Sequence, residues 1–123
     1  MTTAVCRNTV LVIDDDDGLR ELIEMIAMMS GVPVLQAPDC RQGLKILERD
    51  HPRIKLVLLD YFMPGMEPAV CAAAIMEKAG SAIPVVLVTA AVDPGIRAAE
   101  LKISRWVSKP FETSTITSLV TQS

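Results

Sequence analysis

A chain of 123 residues makes one ordinary domain, 1–123, with no room for a second. Half of it is hydrophobic and 22% is charged, which excludes a disordered tail, while four aromatic residues leave the core to aliphatic side chains. The longest apolar runs, such as Ala69–Met76, fall short of the roughly 18–20 residues of a membrane span, and a net charge of −3 argues against nonspecific nucleic-acid binding.

The first strand is predicted at Thr9–Ile13, a continuous apolar, β-branched run that stops at Asp14-Asp15-Asp16-Asp17. Leu19, Leu22, Ile23 and Ile26 then form the stripe of an amphipathic helix, capped by Asp16 or Asp17 and stopped by Gly31. Val32–Gln36 reads as a second strand, and Pro33 places it at a sheet edge because proline lacks a ladder donor. Asp39 caps a second helix that turns Leu44 and Leu47 inward and ends near Asp50-His51-Pro52. Lys55–Leu59 is a third strand stopped at Asp60, the Ala-rich stretch Pro68–Ala79 a third helix, and Ile83–Val88 a fourth strand stopped at Thr89. A short helix near Pro94–Leu101, a brief strand Arg105–Ser108 and a last helix Glu112–Val120 complete the alternation. Five strands alternating with five helices predict an α/β doubly wound parallel sheet with right-handed crossovers.

With the second strand outermost, the strand order is 2-1-3-4-5. Asp14, Asp15, Asp60, Thr89 and Lys109 then all fall at the carboxyl ends of strands, where open α/β sheets bind ligands. Three clustered carboxylates repel one another without a cation. They offer only hard oxygen donors, which suits Mg²⁺ or Mn²⁺ and not zinc. Three carboxylates, a divalent ion and the Lys109 ammonium sum to zero charge, so the site can accept a dianionic phosphoryl group. A carboxylate can itself be the nucleophile, giving an aspartyl phosphate, and Thr89 can donate to a phosphoryl oxygen.

Cys6, Cys40 and Cys71 are odd in number, widely spaced and without a CxxC. They read as idle or buried thiols in a reducing compartment, not as a disulfide frame or metal site. Met1–Arg7 holds no apolar secretory run, so the expected location is cytoplasmic. His51, the only histidine, reads as a loop residue, and Met25, Met28 and Met29 as packing and partner surface.

Val10-Leu11-Val12-Ile13-Asp14-Asp15-Asp16, Leu58-Leu59-Asp60 with Met63-Pro64-Gly65-Met66, Val88-Thr89-Ala90 and Val107-Ser108-Lys109-Pro110-Phe111 together resemble the receiver domain of bacterial two-component response regulators, across essentially the whole chain. The resemblance implies the flavodoxin-like (βα)5 fold and a signalling domain, not an enzyme acting on external substrates. It implies that Asp60 is the phosphoacceptor, served by a histidine kinase or phosphotransfer protein. Asp15, Asp60 and the backbone carbonyl of Phe62 would bind Mg²⁺ directly, and Asp14 mainly through water. Lys109 would pair with the phosphoryl group, Thr89 would bind it on switching, and Lys109-Pro110 would be cis. Trp106 takes the place of the family's switch aromatic. Phe62 and Ala91 take the two positions that flank the path of a hydrolytic water, and neither side chain can hydrogen-bond one, so self-dephosphorylation should be slow.

The chain departs from the family at Glu67-Pro68, where Asp-Gly is usual. It is also short between Thr89 and Lys109, so the fourth helix should be abbreviated. The output face would be the fourth helix, fifth strand and fifth helix, carrying a net +2 from Pro94 to Ser123 and suited to an acidic partner or a second copy of the domain. Two readings compete. A haloacid-dehalogenase-like phosphohydrolase would use the Asp14-x-Asp16 pair, but the chain is too short for the usual cap domain. A pseudo-receiver that only binds partners would not need Asp60, Thr89 and Lys109. An EF-hand fails because its register needs an acid at Ile13. The sequence leaves open a stand-alone regulator or a receiver from a longer protein.

Overall fold

The computed structural model describes residues 7–122. Its elements run β1 (Thr9–Ile13), α1 (Asp17–Met28), β2 (Val34–Ala37), α2 (Cys40–Asp50), β3 (Ile54–Asp60), α3 (Pro68–Ala79), β4 (Val85–Thr89), α4 (Pro94–Glu100), β5 (Arg105–Ser108) and α5 (Thr113–Thr121). Short 3₁₀ turns at His51–Arg53 and Gly80–Ala82 lead into β3 and β4. The sheet is parallel throughout, in the order β2-β1-β3-β4-β5. This is the predicted topology, with β2 at an edge; the strand starts after Pro33, later than expected, and the Pro33 carbonyl accepts from the Val10 N–H at 3.0 Å.

Strand alternation splits the core in two. Leu11, Ile13, Val57, Leu59 and Leu87 face Leu47, Cys71, Ile75 and Ala98, so α2, α3 and α4 cover one side. Val10, Val12, Leu56, Leu58, Val86 and Val88 face Ile23, Ile26, Ile116 and Val120 of α1 and α5 on the other. Both sides of the central strands are therefore buried, which explains their continuous apolar runs. Gly43 lets α2 approach β1 closely, because a Cβ there would lie 2.5 Å from the Ile13 side chain.

Local chemistry sets the boundaries. The Asp16 carboxylate accepts from the Leu19 N–H at 3.1 Å and the Asp39 carboxylate from the Gln42 N–H at 2.8 Å, capping α1 and α2. Pro68 opens α3 at a position where a missing N–H costs nothing. The abbreviated fourth helix is present, with seven residues. Lys102, in the left-handed region at φ 60, then turns the chain toward β5, and the Ile103 N–H closes the turn on the Ala98 carbonyl at 2.9 Å. Lys109-Pro110 is cis, as the resemblance implied.

One expectation is corrected. Cys40 and Cys71 are joined by a disulfide, with Cα atoms 6.0 Å apart. Their separation of 31 residues hid the pair, because only the side-by-side packing of α2 and α3 brings the two sulfurs together. Cys6 lies outside the described residues.

Candidate functional site

The sheet register assembles the site. Ile13 pairs with Leu59, Asp60 with Val88, and Thr89 with Ser108. Asp14, Asp60, Thr89 and Lys109 therefore line up along one carboxyl edge, although 95 positions separate Asp14 from Lys109. The backbone N–H of Asp14 donates to the Ala37 carbonyl at 3.1 Å and that of Lys109 to the Thr89 carbonyl at 2.8 Å, so the edge is held by the ladder itself.

The carboxylates of Asp14, Asp15 and Asp60 present oxygens all within 4.8 Å of one another. Asp14 and Asp60 are buried, at 2% and 6% exposure, and Asp15 is exposed. The Lys109 Nζ donates to Asp14 Oδ2 at 2.8 Å and to Asp60 Oδ1 at 3.3 Å, while Asp14 Oδ1 accepts the Asp16 N–H at 2.9 Å. One ammonium thus serves two carboxylates, and the third relies on solvent.

Burial, reinforced by the Asp14 carboxylate, pushes Asp60 up to about 6 against the opposing pull of Lys109. Burial works against the charge on Lys109 too. There the hydrogen bond to Asp14 and the carboxylate charges of Asp60 and Asp14 prevail, and the ammonium is held above its usual range. A donor set made only of carboxylate oxygens, three carboxylates against one ammonium, fits a hard divalent cation.

Thr89 is fully buried, and its Oγ1 accepts the Ala91 N–H at 3.1 Å. Phe62 is exposed and meets Tyr61 edge-on, with ring centroids 4.9 Å apart. Arg97 of α4 lies 5.7 Å over the Tyr61 ring and so links the β3–α3 loop to α4. Trp106 is half exposed on β5, and a Cβ added at Gly95 would sit 3.5 Å from its ring. Asp16 serves as the helix cap, which removes it from the phosphohydrolase-type pair with Asp14. His51 places its Nε2 3.1 Å from the Ala79 carbonyl, in the turn that leads into β3 and so at the opposite end of that strand from Asp60.

Sequence reasoning missed Arg20. It is buried, donates to the Asp14 carbonyl at 2.6 Å and to Gln36 Oε1 at 3.1 Å, and pairs with Asp17. It braces the loop that carries Asp14 and Asp15. The available signal was its register: Arg20 shares the buried face of α1 with Ile23 and Ala27.

A doubly wound parallel sheet with an acidic cluster at its switch point defines an open α/β domain whose ligand site lies at the carboxyl edge of the sheet. Within that class the chain belongs to the response regulator receiver domain family, whose model matches residues 10–121. It is therefore a signalling module of two-component systems. Among curated relatives it is similar to the probable transcriptional regulator ycf27 of Porphyridium aerugineum, 33% identical over 108 residues, which is 85% of this chain and 43% of that protein. An uncharacterized 14.6 kDa protein of Leptolyngbya boryana is 30% identical over 116 residues, covering 92% of this chain and 87% of that one. The chain spans less than half the length of the ycf27 relatives it matches, 43%, 40% and 43%.

Of solved structures, the chemotaxis protein CheY4 of Vibrio cholerae has the same fold, with a TM-score of 0.79 at 20% identity over 93% of this chain and 96% of that one. The CheX–CheY–BeF₃–Mg²⁺ complex of Borrelia burgdorferi contains another likeness, with a TM-score of 0.79 at 22% identity over 91% and 85% of the two chains. Among the described residues no helix is long and apolar enough to cross a membrane.

Proposed function

We infer that this single domain is a phosphorylation switch in which Asp60 is the phosphoacceptor. The observation that carries the reading is the buried Asp60 carboxylate, clustered with Asp14 and Asp15 and bridged to Asp14 by Lys109. Asp15, Asp60 and the Phe62 carbonyl would hold Mg²⁺, with Asp14 acting through water. When bound, the ion neutralises charge on the phosphoryl oxygens. The presence of BeF₃ and Mg²⁺ in the Borrelia CheX–CheY complex supports carrying this chemistry over to the same fold.

Each side chain then has a task. An Asp60 oxygen attacks the phosphorus of a phosphohistidine on a histidine kinase or phosphotransfer protein. The P–N bond breaks, and its electron pair stays on the imidazole nitrogen. Lys109 exchanges its Asp14 and Asp60 contacts for the incoming phosphoryl oxygens. Thr89 gives up the Ala91 N–H and donates its hydroxyl proton to a phosphoryl oxygen. Because Thr89 pairs with Ser108 in β5, that rearrangement reaches the α4–β5–α5 face, where an acidic partner or a second copy of the domain would bind. Such a switch acts in the cytoplasm, where its kinase's catalytic part resides.

Incubation with Mg²⁺ and acetyl phosphate should add one phosphoryl group to the native chain, and peptide mapping should place it on Asp60. The Asp60→Asn variant should remain unmodified while keeping the native fold by circular dichroism. Full phosphorylation of that variant would overturn the assignment.

A further inference from the structure

We propose that Cys40 and Cys71 form a reversible thiol–disulfide site that clamps α2 to α3 and so governs the mobility of the β3–α3 loop beside Asp60. Both cysteines are buried, at 2% and 3% exposure, and belong to the core cluster on the α2–α3 side of the sheet. Met63 and Met66 of the loop pack against that same cluster. The Cys71 N–H donates to the Glu67 carbonyl at 2.9 Å, so the bonded cysteine sits in the first turn of α3, where the loop ends.

Access comes from one side. A cavity of about 280 Å³ is lined by Asp39, Cys40, Arg41, Pro64, Gly65 and Met66. Cys40 is among its lining residues and Cys71 is not, so the proposed exchange begins on the Cys40 side of the bond. The cavity floor is the β3–α3 loop itself, with Gly65 at φ 92, a conformation that other residues rarely adopt.

The exchange balances with a low-molecular-weight thiol as the reductant. Its thiolate attacks the Cys40 sulfur, the Cys40–Cys71 bond breaks, and the electron pair leaves on Cys71, which takes up a proton. A second thiolate then attacks the small-molecule sulfur of the mixed disulfide. This releases the Cys40 thiol and one small disulfide, and the reverse sequence re-forms the bond. In a reducing compartment, where the reading above places the chain, disulfides are typically transient and redox-responsive.

The test uses the full chain carrying Cys6→Ser, so that only the pair is counted. The protein is equilibrated with mixtures of reduced and oxidised glutathione, quenched in acid, unfolded and alkylated, and the labels are counted by mass spectrometry. The expected result is a single transition from no label to two labels. Amide exchange over residues 61–70 should become severalfold faster in the reduced protein, with α5 unchanged. Cys71→Ala should show the fast exchange in every mixture.

Two labels in every mixture would mean that the thiols never pair. No label even in excess reduced glutathione would mean a static staple. A transition without faster exchange at 61–70 would remove the clamp. Any of these overturns the proposal. Neither readout needs Mg²⁺ or a phosphodonor, so failure here is distinct from failure of the phosphoacceptor assignment.

Discussion

The β1–β3 half of the molecule and its α4–β5–α5 side are built to different standards. All five residues of β1 and six of the seven in β3 are buried, and α1 and α2 carry side-chain caps. By contrast, β5 has three exposed residues of four, α4 has seven residues, and neither α4 nor α5 has a side-chain cap bond. The site sits on the seam. Its three carboxylates come from the firm half, Lys109 follows β5 on the other side, and Thr89 ends the buried strand β4 between them. Fewer buried contacts and uncapped ends lower the free energy of local opening; under the proposed function, phosphorylation of Asp60 would displace the β5 side and leave the carboxylates in place.

Core truncation breaks this comparison most directly. Leu59→Ala empties a fully buried position in β3 and should cost about 3–4 kcal/mol. Val107→Ala, half-buried in β5, should cost about 1 kcal/mol. Urea titrations at constant slope measure both. Equal losses would mean that the two halves share one stability.

Much of this division was legible beforehand. The alternation of strands and helices, with Pro33 placing the second strand outermost, led to the sheet order, and the polar stops at Asp14, Asp60 and Thr89 marked the edge on which the site lies. The bounds of α3 and β5 were read correctly, because Pro68 and the following Gly80 punctuate the first and Trp106-Val107 just before Lys109-Pro110 mark the second. Two features were not legible. Arg20 is charged in an otherwise amphipathic helix, and its burial rests on partners that only the fold assembles, the Asp14 carbonyl and the Gln36 side chain of β2, beside its own helix's Asp17. The Cys40–Cys71 bond depends on the angle at which two helices pack, which no local spacing encodes.

The firm half also carries stored repulsion. Without metal, the folded chain holds the Asp60 proton more tightly than the unfolded chain does, since its pKa is raised from 3.8 to about 6. The contribution to stability is therefore complete below the unfolded value and is lost as the pH rises through about 6. Asp60→Asn removes the buried charge. In chelator it should stabilise the domain by about 1–2 kcal/mol near pH 7.5 and by almost nothing near pH 4. A gain of the same size at both pH values would show that charge is not its origin. Saturating Mg²⁺ should shrink or reverse the gain, because the native carboxylate then has a partner.

Helix capping sharpens the comparison on a smaller scale. Asp39→Ala deletes the bond to the Gln42 N–H and should cost about 1 kcal/mol. Glu112 occupies the corresponding position of α5 without a side-chain cap bond, so Glu112→Ala should be nearly neutral, with a change below about 0.5 kcal/mol. A larger loss at Glu112 would show that α5 is better anchored than its hydrogen bonds indicate.

The smallest expected effect lies where the two halves meet over Asp60. Phe62 belongs to the β3–α3 loop and Ala91 to the β4–α4 loop, and under the proposed function they flank the water that would hydrolyse the aspartyl phosphate. Neither side chain can orient that water, and the exposed Phe62 ring is available to cover the phosphoryl group. Phe62→Asn and Ala91→Glu should each speed loss of phosphate from the acetyl-phosphate-labelled protein a few-fold, less than about 1 kcal/mol of barrier apiece. The two need not be equal. Phe62→Asn both removes the ring available to cover the phosphoryl group and adds a polar group, whereas Ala91 is tied to Thr89 through one hydrogen bond that must break when Thr89 turns to the phosphoryl group. A glutamate at position 91 is therefore held less firmly, and Phe62→Asn should give the larger acceleration. Decay measured by phosphate release for each single variant and for the pair decides the matter. A native rate already above that of the double variant would show that Phe62 does not shield the site.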